Sequence, residues 1–501
     1  MPGSHDWLLP AYELYAGFAG ETASTWAVAG TIGIDRDDLL FSSYQRRGAA
    51  LEAAAGSGRL SVQGFSVSSR PRSRFDGDYI LPSSGDDRTT GLATSLVVVE
   101  KRLEIGGGYV DGKSRFGGDG FSPQTGTALF GGDSWNVAID SRWLANGLWI
   151  HLERAGSDFD PDGLGIGLPA SSDDALEARV QLESGERIGA GPFAYWSAVL
   201  RHSVVGRDFY SLGNLVLPGN LEVSSAWLQG GFTSVVIDIE LARETSNPDD
   251  DPSTATQTLR RSGLSVSWSP ATWQPDSRIF RLLGAPSASA WWYRIDNSQP
   301  DADALVVGFD VDNATDEAGL SLAFSRDELS WSLEYGTVDY DDRSVAVFDN
   351  GFLVYEPYSD SRNRYLSVAL GWIPGERLGV EAFLQRNTLE ETDYGDEYRS
   401  TGYGISTNVI VIPERLTLFA SLTRGEDRTR FGNTQFAPER FASDVASLQL
   451  SWQAARAEGA QPAINLFLKG NYGRNEISSV PADDDFWAVY LGASLNWIGS
   501  N

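Results

Sequence analysis

Leu320-Ser321-Leu322-Ala323-Phe324-Ser325 is followed by Arg326-Asp327-Glu328 and then by Leu329-Ser330-Trp331-Ser332-Leu333-Glu334-Tyr335. Apolar residues take every second place on both sides of three charged ones. Side chains of a β-strand point to opposite faces in turn, so this stretch reads as a hairpin with a tight turn. Leucine, phenylalanine, tryptophan and tyrosine make one face; serine, alanine and glutamate make the other.

The same grammar recurs along the chain. Leu366, Val368, Leu370 and Trp372 alternate with Ser367, Ala369 and Gly371. Leu378, Val380, Ala382 and Leu384 alternate with Gly379, Glu381, Phe383 and Gln385, and Trp26, Val28, Ile32 and Ile34 with Ala27, Ala29, Thr31 and Gly33. A soluble sandwich alternates too, but the small and polar second face suits a water-filled or loop-filled lumen. Glu334, Glu381 and Gln385 are expected there. His151 is expected there as well, because it alternates with Trp149 and Glu153 opposite Leu148, Ile150 and Leu152. Phe383, Phe419 and Phe467 are candidate lumen aromatics for stacking on sugar rings.

Connections are of two kinds. Short ones carry proline or glycine, as in Trp268-Ser269-Pro270, Trp372-Ile373-Pro374-Gly375 and Val411-Ile412-Pro413-Glu414. Long acidic ones, rich in Gly, Asn and Asp, are expected at 112–133, 156–173, 204–220, 244–256, 339–361, 425–442 and 474–485. Short turns at one end and long loops at the other mark a membrane β-barrel. The expected fold is therefore all-β: a transmembrane antiparallel up-and-down β-barrel with an even strand number between 18 and 26. Strand direction does not balance between 285 and 361. Ala288–Ile295, Leu305–Val311 and Leu320–Phe324 are the strands expected there, with Val345–Phe348 as a candidate for the missing one.

Trp268, Trp372, Trp452 and Trp497 each close an expected strand. Indole prefers the membrane–water interface, with its ring in the apolar layer and its N–H in the wet one. These four are expected to form one interfacial girdle.

Composition narrows the class. Hydrophobic residues are 41% of the 501, and no run approaches the roughly 18 apolar residues of a membrane-spanning helix. There is no cysteine, which removes disulfides, thiolate metal sites and thiol catalysis. The net charge of -29 disfavours a nucleic-acid partner. Lys101, Lys113 and Lys469 are the only lysines, so arginine carries nearly all the positive charge. Residues 1–10 read as a leader or a remnant of cloning, and 11–501 as one domain.

The last expected strand carries the most specific motif. Tyr490-Leu491-Gly492-Ala493-Ser494-Leu495-Asn496-Trp497 resembles the C-terminal signal of bacterial outer-membrane β-barrel proteins: a polar opener, a glycine, a hydrophobic residue and an aromatic at fixed spacing. It departs from the pattern in that Ile498-Gly499-Ser500-Asn501 follow the aromatic. The resemblance implies that Tyr490, Gly492, Leu495 and Trp497 are read by the barrel-assembly machinery. It implies the outer membrane of a Gram-negative bacterium as location, and outer-membrane lipid and lipopolysaccharide as surroundings. No plug-sized region, periplasmic repeat region or passenger precedes the expected strands. That disfavours a TonB-dependent transporter, a polypeptide-transport pore and an autotransporter.

Little in the sequence points to catalysis. His151 and His202 are candidate bases, but no Gly-x-Ser-x-Gly motif flanks either. Asp158, Asp160 and Asp162, with Gly163, match the opening of a calcium loop, but its twelfth position is Pro169 instead of a bidentate glutamate. Calcium is the one candidate cofactor. The expected function is a channel for hydrophilic solutes, either a diffusion porin or a polysaccharide export pore. The alternative is a structural or adhesive barrel whose long acidic loops bind a partner or calcium.

Overall fold

Pairing register decides which side chains share a face of a sheet, and a slip of one residue exchanges the faces. The computed structural model describes residues 13–20, 22–34, 36–42, 44–69, 88–114, 130–160, 169–185, 188–251, 254–270, 278, 281, 284–299, 311–349, 352–355, 357–433, 436–455, 463–478 and 484–496. The chain divides into two compact units. The first holds β1 (Glu13–Ala19), β2 (Ala23–Ile34), β3 (Tyr44–Ala55), β4 (Leu60–Ser68) and β5 (Arg88–Val99). It continues with β6 (Leu103–Ser114), β7 (Phe130–Trp143), β8 (Leu148–Asp160), β9 (Ser171–Glu183) and β10 (Tyr195–Val205). β11 (Leu221–Gly231), β12 (Val235–Ser246) and β13 (Thr258–Trp268) follow. The second unit continues with β14 (Ala285–Gln299), β15 (Val311–Arg326), β16 (Leu329–Asp342), β17 (Val347–Asp349) and β18 (Phe352–Tyr355). It ends with β19 (Ser361–Trp372), β20 (Leu378–Glu391), β21 (Glu397–Ile412), β22 (Leu416–Arg430), β23 (Glu439–Ala455), β24 (Ala463–Ile477) and β25 (Asp484–Asn496).

Twenty-three of these strands belong to one antiparallel up-and-down sheet, inside the expected window; the described residues do not reach an even count. The deciding hairpin forms as read: Leu322 faces Leu333 and Phe324 faces Trp331 across β15 and β16, with those two rings stacked 4.4 Å apart. Asp327 turns the chain at φ 43°, the left-handed region that aspartate tolerates. Short turns lie at the β1–β2, β3–β4, β5–β6, β7–β8, β11–β12, β15–β16 and β21–β22 ends, and longer connections alternate with them.

In the second unit one face is apolar and the other polar. Leu322, Leu333, Val368, Leu384 and Tyr403 fall in one row, and Ser321, Glu334, Ser367, Gln385 and Gly402 in the row on the opposite face. Large side chains of the apolar face are exposed: Leu370, Tyr403 and Ile405 are 46%, 47% and 49% accessible. On the polar face the large rings lie over glycines of the neighbouring strand. An added Cβ on Gly404 would overlap Phe383, and one on Gly492 would overlap Phe467. Gly492 therefore has a packing reason to be glycine: Phe467 of β24 occupies the space its side chain would take.

Several expectations are corrected. The expected loops at 112–133, 156–173, 339–361, 425–442 and 474–485 are shorter, because β6, β7, β8, β9, β16, β22, β23, β24 and β25 run into them. Cross-strand pairs of opposite charge let polar residues continue a ladder, and Arg424 with Asp444 at 3.1 Å is one such pair. Val347–Asp349 is a strand, but among the described residues it pairs only with β18, in a separate hairpin. Ala288–Ile295 lies within β14, and β15 is longer than Leu320–Phe324. Of the expected strand Leu305–Val311, only Val311 is among the described residues.

Replacing Gly492 by alanine should cost about 1–3 kcal/mol, the usual toll of overpacking. Gly470→Ala on β24 meets nothing within 4 Å and should change stability by no more than about 0.5 kcal/mol. Urea unfolding of the refolded chain, followed by tryptophan fluorescence, measures both; equal effects would refute the packing role of Phe467.

Candidate functional site

The site begins with an apolar run in a polar connection. After β2 the chain reads Arg36-Asp37-Asp38-Leu39-Leu40-Phe41-Ser42. The Asp38 carboxylate accepts from the backbone N–H of Leu40 at 2.9 Å and of Phe41 at 2.8 Å, which closes a local turn. The turn aims the three apolar side chains at the inner face of the first unit. Leu40 and Phe41 are 0% exposed and pack with Val28, Ile32, Ile34, Tyr44, Phe65, Val67, Val110 and Leu212. Leu39 packs with Ala155, Ala175, Val205 and Phe209.

A second segment holds the first one in place. Between β10 and β11, Ser211 Oγ donates to Leu40 O at 2.8 Å, Asn214 Nδ2 to Asp38 O at 3.0 Å, and Ser42 N–H to Gly213 O at 3.2 Å. The Tyr210 ring packs tilted against Phe159, with centroids 4.2 Å apart, and burial pushes its hydroxyl pKa up to about 12. Glu153 on β8 is buried and closes the arrangement. Its Oε1 accepts from Leu39 N–H at 3.1 Å and from Asn136 Nδ2 at 2.6 Å. A buried carboxylate needs such donors to stay folded inside. Arg36 ties the segment to β6 through Gly107 O at 2.7 Å, and Asp38 accepts from its Nε at 2.6 Å.

On the short-turn side of this segment lies a cavity of about 680 Å³. Asp37, Asp38, Glu52, Glu104, Asp140 and Glu177 line it, against Arg36, Arg179 and His151. Trp26 and Trp149 add two indole surfaces. The side chains are cross-braced: Trp149 Nε1 donates to Asp140 Oδ1 at 2.8 Å, and the Arg179 guanidinium lies 4.9 Å from the Trp149 ring centroid. His151 sits between Asp140, at 3.1 Å from Nδ1, and Glu153, at 3.5 Å from Nε2. His151 thus links the cavity to the carboxylate that anchors the inward segment. Carboxylates outnumber arginines six to two, and the indoles offer flat apolar faces. A cleft lined mostly by one sign of charge concentrates counter-ions, here cations, and disfavours anions.

The expected residues fall as follows. His151 lines the cavity. Glu334, Glu381 and Gln385 lie on the polar face of the second unit, as do Phe383, Phe419 and Phe467. Trp268, Trp372 and Trp452 stand exposed at short-turn ends, 36%, 45% and 48% accessible, and Trp143 stands at another such end. Trp497 lies outside the described residues, and of Leu495 the strand backbone alone is described. Tyr490 and Gly492 are on β25.

Two of the three residues of the calcium reading are described. Asp158 and Asp160 belong to β8, where the ladder sets them opposite Asp133 and Gly131, so they do not form a loop; Asp162 lies outside the described residues. Among the described residues no group of carboxylates and histidines has metal-holding geometry. Val28, Ile32 and Ile34 are corrected in sense: the apolar side of β2 packs on Leu40 and Phe41, inside the first unit. Arg36, Asp38, Asp140 and Arg179 were not singled out from sequence. The legible signal was Leu39-Leu40-Phe41, three consecutive apolar residues in a connection that otherwise reads as solvated.

No protein-family model matches the chain, and no curated protein matches it. Solved structures to which it is similar include the FrpB iron transporter of Neisseria meningitidis, at 9% identity and TM-score 0.37, over 91% of this chain and 82% of that one. OccK11 of Pseudomonas aeruginosa matches at 12% identity and TM-score 0.29, over 73% of this chain and 91% of that one. The outer membrane protein OmpT of Vibrio cholerae, folded in vitro, matches at 9% identity and TM-score 0.26, over 70% of this chain and 98% of that one.

In this cysteine-free chain, Phe41→Cys should react with a hydrophilic maleimide at least an order of magnitude more slowly than Ser57→Cys on an exposed turn, because a packed position labels only through local opening. Adding Asp38→Ala and Glu153→Ala should remove most of that difference by releasing the segment. Equal labelling of the two cysteines without those changes would show that the segment is not packed inside.

Proposed function

We infer that the chain is an outer-membrane β-barrel of a Gram-negative bacterium that carries hydrophilic solutes across that membrane. One observation carries the reading: large apolar side chains are exposed on one face of the sheet, while the opposite face is small, polar or charged. Leu51, Val137, Leu200 and Leu422 are 57%, 48%, 59% and 56% accessible. So extensive an apolar surface is not stable in water and matches a lipid-facing wall. Trp268, Trp372 and Trp452 at the short-turn ends support an interfacial girdle there.

The acidic, indole-bearing cavity supports neutral, polyhydroxylated or cationic solutes as cargo. A water-filled path lined mostly by carboxylates gathers cations at low salt, and screening weakens that as the Debye length falls from about 10 Å at 0.1 M to about 3 Å at 1 M. The inward segment favours a second reading, an occluded barrel with a structural or adhesive role, because it fills part of the inner face with a dry core.

Planar-bilayer recording separates the two. The channel reading expects stable conductance with cation preference at low salt that fades near the ~1 M regime of short screening. Glu52→Gln with Glu104→Gln should lessen that preference. A folded, silent barrel would favour the scaffold, and anion preference would show that arginines set the field.

The C-terminal motif supports recognition by the assembly machinery. Trp497→Ala should lower the amount of folded barrel in the outer membrane far more than Trp227→Ala, which lies outside the motif. Equal loss in the two variants would remove that role.

A further inference from the structure

We propose that the apolar face of the second unit carries a binding site for one phosphate-bearing lipid headgroup, formed by Arg364, Arg386 and Arg399. The site rests on the lipid-facing reading of that face.

Register assembles it. Arg364 of β19, Thr388 of β20 and Arg399 of β21 lie in one cross-strand row, and Leu366, Arg386 and Thr401 in the next. Neighbouring strands are about 4.8 Å apart, so Arg364 and Arg399 stand about 10 Å apart at the backbone, with Arg386 between them and one pleat closer to the apolar band. Arginine side chains are long enough to converge across that gap. With Tyr335, Leu366 and Glu390 they line a surface hollow of about 300 Å³.

Position and charge select the ligand. Leu370, Leu384, Tyr403 and Ile405 continue the same face toward the short-turn end and are exposed. The arginines therefore mark the edge of the apolar band on the long-loop side, where an amphiphile changes from chain to headgroup.

Most other arginines beyond that edge are neutralised in place. Arg424 meets Asp444 at 3.1 Å, Arg440 meets Glu426 at 3.0 Å, and Arg362 meets Asp339. Within the hollow, Arg364 meets Glu390 at 3.2 Å and Arg399 meets Glu397 at 2.5 Å. Arg386 is exposed and makes no ion pair among the described residues, and Arg399 Nε is buried without a hydrogen-bond partner. Guanidinium forks bind tetrahedral phosphate oxygens in pairs, which makes arginine the residue for this ligand.

The test uses the full chain refolded in dodecyl maltoside, with folding checked by heat-modifiable migration. Native mass spectrometry counts dioleoyl phosphatidic acid retained per chain, against dioleoylglycerol, which has the same chains and no phosphate. Wild type should retain one phosphatidic acid per chain in preference to dioleoylglycerol. Arg364→Gln/Arg386→Gln/Arg399→Gln should weaken retention by at least an order of magnitude, and Arg386→Gln alone severalfold. Arg424→Gln, whose guanidinium is already taken by Asp444, should retain as wild type does.

If the triple variant does not fold, Arg386→Gln decides. Equal retention by wild type and Arg386→Gln overturns the site, and so does equal retention of dioleoylglycerol, which would mean apolar packing only. Displacement by millimolar inorganic phosphate would overturn the lipid assignment in favour of a free-anion site. A chain that folds without detergent would sink the membrane reading and this site with it. A heat-modifiable barrel that retains no phosphatidic acid would sink this site alone.

Discussion

The hydrogen-bond ladder between neighbouring strands is the constraint on which the other features depend. In an apolar solvent each backbone N–H and C=O must find its partner within the protein, and a strand can find those partners only on its two neighbours. The ladder therefore fixes register from β1 to β10 and again from β15 through β25. Once register is fixed, side-chain identity has no freedom to choose a face. Moving β16 by one residue would turn Leu333 and Tyr335 to the polar side and Glu334 to the apolar side. The glycines under Phe383 and Phe467 are a second consequence, since a ring laid flat on the next strand needs a position without a Cβ.

The inward segment answers a different demand. Strands of the first unit enclose more inner surface than their own small side chains fill, as Ala50, Ala93, Ala138 and Ala155 on that face illustrate. Leu40 and Phe41 pack over Ala50 and Ala93, and Leu39 over Ala155. A dry core next to a polar cavity requires every buried backbone group to be satisfied, and Glu153, Ser211 and Asn214 supply the partners. Glu153 matters most, because the same carboxylate faces His151 in the cavity and Leu39 in the segment. A change at His151 therefore reaches the segment through one side chain.

The sheet was legible in sequence because alternation, turn residues and connection length all report the backbone ladder, and the ladder is local. The hairpin around Asp327 and the polar placement of Glu334, Glu381 and Gln385 follow from period two alone. What was not legible depends on contacts between distant segments. Ser211 and Leu40 are 171 residues apart in the chain, and nothing in either neighbourhood announces the other. The sense of β2 was missed for the same reason: Val28, Ile32 and Ile34 are apolar because Phe41 covers them, and period two cannot tell a covered face from a lipid-facing one. Asp158 and Asp160 were read as a loop because charge usually ends a strand, whereas here the ladder carries β8 through them.

The strand extensions show how far charge can be decoupled from stability. β21, β22 and β23 run 16, 15 and 17 residues, longer than the span of about 9–11 that a membrane requires. The ends of β22 and β23 pair Arg424 with Asp444 and Arg440 with Glu426 across the strands, and Arg428 with Glu426 along β22. Exposed pairs of this kind contribute about 0–1 kcal/mol each, so they do not hold the extensions up; the backbone ladder does. Their effect is to fix where charge stands. Arginine serves better than lysine here, because its fork keeps two geometries aligned while remaining charged in a poorly hydrated layer. The net charge of -29 is therefore a poor guide to the field at any one place. Carboxylates dominate the cavity, matched ion pairs cover the extensions, and at Arg386 a positive charge stands without a carboxylate partner among the described residues at the edge of the apolar band.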